Sequence, residues 1–275
     1  MVQFVEPQLH ELADNCKRMR QWILTTTNKA GSGHPGGSLS AVEVMAVLYM
    51  KIMRVDPENP DWDRRDYFFL SKGHAAPVLY AALAERGFFP AEELMTLRQA
   101  GSRLHGHPSS ECTPGVDISS GSLGQGLSIA NGVALAARLK GTEQRAYVLL
   151  GDGEIQEGQV WEAAMTSAHY KLDNVCAIVD YNRLQLDGPV DEVKTLGSLR
   201  AKWEAFGWNA IEIDGHHLQE IYNSFEKAKE VKGRPTVILA HTVKGKGVSF
   251  MENQVGWHGV APNDEQLEIA LKELR

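Results

Sequence analysis

The sequence predicts an α/β fold: a parallel sheet with helices on both faces. Two observations carry that expectation. Short apolar runs of strand length stand at residues 67–70, 146–150, 175–180, 210–213 and 236–240. Segments with helical periodicity alternate with them, which is the pattern of strand, helix, strand units in a parallel sheet.

In chain order, helical patterns occupy residues 9–29, 39–53, 75–86, 91–99 and 123–140, several with turn residues just outside them. The strand at 67–70 falls between the second and third of these. After the run at 146–150 comes a helix at 157–170, then the run at 175–180. Helices at 199–206 and 218–231 flank the run at 210–213, and an amphipathic helix at 265–274 follows the last strand. Residues 104–126, rich in Gly, Ser, Pro and His, read as irregular backbone, as do residues 254–263. Long loops inside a compact domain are usually functional. No repeat, low-complexity tract or linker interrupts the pattern. The 275 residues are therefore expected to form a single domain, 1–275.

Composition excludes several classes. With 28 basic and 35 acidic residues the formal net charge is −7, which offers no basic footprint for nucleic acid. The three cysteines, Cys16, Cys112 and Cys176, are too widely spaced for a zinc ribbon or a disulfide framework and fit a reducing cytoplasm. The start, Met1-Val2-Gln3-Phe4-Val5-Glu6-Pro7, has no basic segment followed by an apolar one. Nor does any run approach the roughly 18 apolar residues of a membrane helix. A soluble cytoplasmic protein is expected.

The chemistry concentrates at two strand ends. Gly151-Asp152-Gly153 follows the run at 146–150, and Asn182-Arg183-Leu184 follows the run at 175–180. Asp152 supplies a carboxylate, Asn182 a side-chain carbonyl and Leu184 a backbone carbonyl. Such all-oxygen donors suit Mg²⁺, with phosphate oxygens completing the shell. Gly151 and Gly153 would let the backbone approach a phosphate closely, and ligands of open α/β sheets collect at the carboxyl ends of strands. A strand-to-helix turn capped by Asp152 would explain the triplet alone but not Asn182.

Gly31-Ser32-Gly33-His34-Pro35-Gly36 matches the dinucleotide pattern G-x-G-x-x-G, yet the residues before it read as helix rather than strand. His34, His74, His107 and His258 each lie in a Gly-flanked loop. His105-Gly106-His107 could be a transition-metal pair but lacks a third ligand at suitable spacing. His216-His217 reads as a turn after Asp214-Gly215, and His10, His169 and His241 as structural or surface residues.

Taken together, Ser32-Gly33-His34-Pro35-Gly36, Leu70-Ser71-Lys72-Gly73-His74, Gly106-His107-Pro108, Gly121-Ser122-Leu123-Gly124-Gln125-Gly126, Gly151-Asp152-Gly153 with Asn182, and Trp257-His258-Gly259 resemble the transketolase family in order and content. The resemblance implies a thiamine-diphosphate-binding fold, namely its diphosphate-binding domain. It further implies thiamine diphosphate with Mg²⁺, or Ca²⁺ or Mn²⁺ in its place, held by Asp152, Asn182 and Leu184. In the family, His107 contacts the donor's terminal hydroxyl, His34 and His258 bind substrate oxygens, and His74 lies near cofactor and substrate. Lys72 and Lys244 match lysines near the cofactor. The backbone at Gly121 contacts the aminopyrimidine, Leu123 packs beside the rings, and Glu157 joins a network between paired cofactor sites. Gly37 departs from a serine of some relatives, and Tyr181-Asn182 from an Asn-Asn pair of more distant ones.

The resemblance also implies what this chain lacks. Single-chain transketolases are over twice as long, and the remainder carries the glutamate that activates the cofactor. The expectation is an N-terminal subunit of a two-subunit transketolase. Its partner would be a C-terminal subunit carrying the pyrimidine-binding and C-terminal domains, in a heterotetramer that moves a two-carbon ketol unit between sugar phosphates. Two alternatives stand beside it: the alpha subunit of a 2-oxo acid dehydrogenase and a noncatalytic cofactor-binding subunit.

Overall fold

The computed structural model describes residues 4–275, so the first three residues of the N-terminal reading lie outside it. The expected sheet is present, five strands all paired in parallel: β1 (Tyr67–Leu70), β2 (Ala146–Gly151), β3 (Val175–Tyr181), β4 (Asn209–Asp214) and β5 (Thr236–His241). Their order across the sheet is β1-β2-β3-β5-β4. In register, Leu70 lies beside Leu149, Gly151 beside Asp180, and Tyr181 beside His241. Four consecutive neighbours therefore end on one edge of the molecule.

The helices are α1 (Glu6–Ala30), α2 (Pro35–Leu39), α3 (Val42–Val47), α4 (Ala76–Arg86), α5 (Gly126–Lys140), α6 (Gly158–His169), α7 (Val190–Lys194), α8 (Leu199–Ala205), α9 (Leu218–Glu230) and α10 (Asp264–Glu273). Side chains alternate across each strand, and both faces are covered, which is why the strands read as unbroken apolar runs. Phe68, Leu70, Tyr147, Leu149, Cys176 and Ile178 point into one core with α1, α3, α4 and α9. Phe69, Val148, Leu150, Ala177 and Val179 point into a second with α5, α6 and α8, where Trp203 and Trp208 are fully buried. Among the described residues no helix is long and apolar enough to cross a membrane.

Several boundaries differ from the sequence reading, each for a local reason. α1 buries Leu12, Cys16, Met19 and Ile23 at helical spacing, and its stop is Gly31 at φ 60°, whose N–H closes on Asn28. The dinucleotide reading of residues 31–36 fails because this helix, not a strand, precedes them. The helix expected at 39–53 is interrupted after α2. There the Ser40 hydroxyl donates to Gly37 O (3.2 Å) and to Asp180 Oδ2 (2.5 Å), competing with helix continuation; α3 then runs into a π turn, Leu48–Ile52. The segment expected as a helix at 91–99 forms only a 3₁₀ turn, Ala91–Thr96.

The helix expected from residue 123 begins at Gly126 instead. The Gly126 N–H donates to Ser71 Oγ (3.1 Å), and the Gly124 N–H to Glu154 Oε1 (2.8 Å). A Cβ on Gly126 would stand 2.6 Å from Ser71 Cβ, so this packing requires glycine. α7 is an element the sequence pattern did not reveal.

At α10 the cap is local and legible: Asn263 Oδ1 accepts from the Gln266 N–H (2.9 Å) while the Gln266 side chain returns to the Asn263 N–H. Asn263→Ala is expected to cost about 1 kcal/mol in denaturant unfolding with no change in ligand binding; an unchanged midpoint would refute the capping role.

Candidate active site

The loops after β1, β2, β3 and β5 surround a cavity of about 290 Å³. Its wall includes Gly37, Lys72, His74, Leu123, Gly151, Asp152, Gly153, Glu157, Asn182, Leu184, Lys244 and His258. Sequence-selected residues separated by most of the chain thus meet in one place.

The floor is a buried ion pair. Lys72, 2% exposed, donates from Nζ to Asp180 Oδ2 (2.5 Å) and to Gly37 O (2.7 Å). Asp180 also accepts from Ser40, from Thr242 Oγ1 and from Asn182 Nδ2 (3.1 Å). Burial pushes the Asp180 carboxyl up, but the Lys72 charge and the hydrogen bonds from Lys72, Ser40 and Thr242 hold it below the usual carboxylate range. Asp180 orients the Asn182 amide: with Nδ2 spent on the carboxylate, Oδ1 faces the Leu184 N–H (3.1 Å).

Asp152 is tied to the neighbouring loop, accepting from Gly153 N–H (2.8 Å) and from Arg183 N–H. Burial and then the negative charge of Asp180 raise its pKa to about 7. A carboxylate so penalised for its charge is one that a cation would stabilise. Leu184 O, the third expected donor, accepts from Lys244 Nζ (3.1 Å) and keeps a second lone pair. Burial, followed by the charge of Lys72, lowers Lys244 to about 8, and its Nζ also meets His258 Nδ1 (2.7 Å).

Above this floor the histidine rings form a cluster. His34 lies 5.4 Å from His74, 6.3 Å from His107 and 5.7 Å from His258 by ring centroids, and His74 lies 5.1 Å from His258. Burial is the first cause of every shift. It takes His34 to about 4 with help from the charge of Arg98, and His258 to about 3 with help from Lys244. His74, beside Lys72, is driven well below its ordinary value, and His107 is lowered less. All four rings are neutral near pH 7 and present hydrogen-bonding nitrogens rather than charges.

The residues fit a magnesium-bound diphosphate on three counts. The donors are oxygens only, as a hard cation requires. His34 Nδ1 and Gln185 Oε1 are buried polar atoms with no protein partner. At Gly151 a Cβ would meet protein no closer than 3.6 Å, as at Gly37, so the wall stands back there.

Three expected site residues, Gly121, Glu157 and Leu123, sit off the cavity wall or at its rim. Gly153 lies on the wall itself, where an added Cβ would come 3.0 Å from Gln185 Cβ, a tight contact that the Gln185 side chain would have to yield to. Gly121, at φ 152°, is off the cavity wall and supports the His107 ring, whose Cδ2 would lie 3.3 Å from an added Cβ. Glu157 is exposed at the rim, and its side chain makes no hydrogen bond or ion pair among the described residues. Leu123 is likewise on the rim, 38% exposed.

The sequence reading missed Asp180 and Glu154. Glu154 is buried and accepts from Ser71 Oγ (2.5 Å), Gly124 N–H and Gly151 N–H, bracing the loops after β1 and β2 against residues 121–126. A carboxylate closing an apolar strand run was the available signal for Asp180, since such a group must find a cation.

The chain has relatives among known proteins. Residues 13–274 match the family profile described as transketolase, thiamine diphosphate binding domain. The 6-deoxy-6-sulfo-D-fructose transketolase subunit SqwG of Clostridium sp. (strain MSTE9) is 45% identical, over 96% of each chain. One of the apulose-4-phosphate transketolase subunits of Phocaeicola vulgatus is 42% identical, over 97% of this chain and 95% of its own. The solved transketolase of Campylobacter jejuni superposes with a TM-score of 0.90 at 32% identity, over 98% of this chain but only 43% of that one.

Proposed function

The chain belongs to the transketolase family, and from that premise we propose that it is the N-terminal subunit of a two-subunit enzyme moving a two-carbon ketol unit from a ketose phosphate to an aldose phosphate. The observation that carries this reading is the match to two relatives named as transketolase subunits, 45% and 42% identical over nearly the whole of each. A separate C-terminal subunit would supply the rest, in a heterotetramer working in the cytoplasm, with residues 1–275 as one diphosphate-binding domain. The relatives named as subunits are transketolases, so nothing specific favours a 2-oxo acid dehydrogenase.

Asp152, Asn182 and Leu184 would hold Mg²⁺ or a similar divalent ion, and Gly151, Gly153, Lys244 and His258 would line the diphosphate. When bound, thiamine diphosphate supplies the electron sink for carbanion chemistry. This chain's residues bind and orient around it. Lys72 stays on Asp180 and acts through Asn182. Neutral His34, His74 and His258 offer hydrogen bonds to sugar oxygens and can pass protons without imposing a fixed charge. His107, at the mouth of the cluster, would meet the donor's far end. Leu123 and Leu186, exposed beside the cavity, are apolar surface that a covering partner chain would bury.

Affinity purification of the tagged chain with Mg²⁺ and thiamine diphosphate tests the assembly. The expected result is an equimolar companion chain, together with ketol transfer between sugar phosphates by the complex; a chain recovered alone and inert would overturn the reading. In that complex, His107→Ala should raise KM for the ketose donor about tenfold or more with cofactor Kd unchanged. An equal loss in cofactor affinity would instead place His107 at the cofactor.

A further inference from the structure

We propose that His216 is a positioning residue for the cofactor site, acting through Lys244; this rests on reading the cavity as a diphosphate site. The sequence pattern shows His216 only as part of a turn. In the structure its ring is fully engaged: Nε2 accepts from the Val243 N–H (2.8 Å), so Nδ1 carries the proton and donates to Glu43 Oε2 (3.0 Å). The turn itself is held by the His216 N–H on Asp214 Oδ1 (2.8 Å). A Cβ at Gly215 would stand 2.4 Å from Thr242 Cγ2, so this loop lies directly on the segment after β5.

The clamp has a second arm. Glu43 Oε1 pairs with the Arg20 guanidinium (2.5 Å), and Arg20 Nε donates to Lys246 O (3.0 Å). Burial disfavours the Glu43 charge, but the hydrogen bond from His216 and the charge of Arg20 more than offset it, and the carboxylate stays ionised. One charged chain from α1 through α3 to the loop after β4 thereby grips the backbone on both sides of Lys244. The Gly245 N–H adds a third fixed point on Gly36 O (3.0 Å). Lys244 Nζ reaches Leu184 O and His258 from this rigid segment. Side chains one step behind a metal or phosphate site set how well the contacting groups are aimed.

Two amide variants separate the positioning role from a general structural one. His216→Gln places an acceptor near the Nε2 position and can still hold the Val243 N–H. His216→Asn places a donor near the Nδ1 position, keeping Glu43 but releasing Val243. In the purified two-subunit complex, Kd of the magnesium–thiamine diphosphate pair is measured by calorimetry and melting temperature by fluorescence. His216→Asn is expected to weaken cofactor binding about tenfold, and His216→Gln to leave it within about threefold of wild type. Combining His216→Asn with Lys244→Met should add little to Lys244→Met alone, because the first acts through the second. The inference is overturned if the Asn variant binds like wild type, if the Gln variant is the weaker binder, or if the two losses add. A wild-type complex that binds no cofactor would overturn the functional reading along with it.

Discussion

Asp152→Asn is expected to abolish magnesium-dependent binding of thiamine diphosphate while raising the metal-free protein's stability relative to wild type as pH rises. Both effects come from one fact, a buried carboxylate whose pKa is raised to about 7 by burial and by Asp180. A group whose folded pKa lies above its unfolded value binds protons more tightly when folded. Its ionisation therefore opposes folding fully above about pH 7, and the penalty fades as pH falls toward the ordinary carboxylate value of 3.8. The penalty is on the order of a few kcal/mol. Asparagine omits the charge but gives up one accepted hydrogen bond, because its amide nitrogen must face either the Gly153 or the Arg183 N–H, a loss of about 1–3 kcal/mol. The variant's melting temperature relative to wild type should therefore be most favourable near pH ~8 and decline on acidification.

The histidines pull the other way. Depressed folded pKa values at His34, His74 and His258 mean that stability drops as pH falls below the ordinary histidine value of 6.5. Comparing Asp152→Asn with wild type cancels that common background. Because the cation needs the ionised carboxylate, wild-type affinity for Mg²⁺ with thiamine diphosphate should fall as pH drops below about 7. Calorimetry with and without Mg²⁺ checks the first effect and thermal melts across pH the second. A variant that still binds in a magnesium-dependent way would remove Asp152 from the metal site.

The other large effect is expected at Lys72. Lys72→Met leaves Asp180, 1% exposed, without its cation while the Ser40, Thr242 and Asn182 donors remain. Removing one partner of a buried pair costs about 3–5 kcal/mol, which for a chain of this size corresponds to a melting temperature lower by roughly 10 °C. Adding Asp180→Asn takes away the stranded charge and should recover most of that loss. Cofactor affinity should not recover, because the anchor that fixes the Asn182 amide is altered. If the double variant stays as unstable as Lys72→Met, the damage lies in packing rather than in the unpaired charge.

The sheet was legible because each strand is buried on both faces, so that its apolar run begins and ends with the strand itself. Tyr67–Leu70 coincides with the run read from the sequence, and Ala146–Gly151 and Val175–Tyr181 each exceed theirs by one residue. The meeting of Asp152 and Asn182 on one cavity wall was legible for a related reason: a glycine-flanked aspartate and an asparagine just after two such runs must fall at neighbouring strand ends. Helix starts were less legible. α5 begins where Ser71 and Glu154 take the preceding N–H groups, and α2 ends where Ser40 turns to Asp180, partners that lie far off in the chain.

By itself, then, the sequence determined the fold class, the strands and the oxygen donors at their ends, because burial on two faces and glycine-flanked turns are local properties of the chain. Only the tertiary structure decided that Lys72 serves Asp180 across 108 positions, that Glu154 braces the loops, that the histidines gather as neutral rings and that His216 grips the segment carrying Lys244. Those arrangements depend on which charged and polar groups must be satisfied once water is excluded. That requirement is met by partners in space, and the order of residues along the chain does not name them.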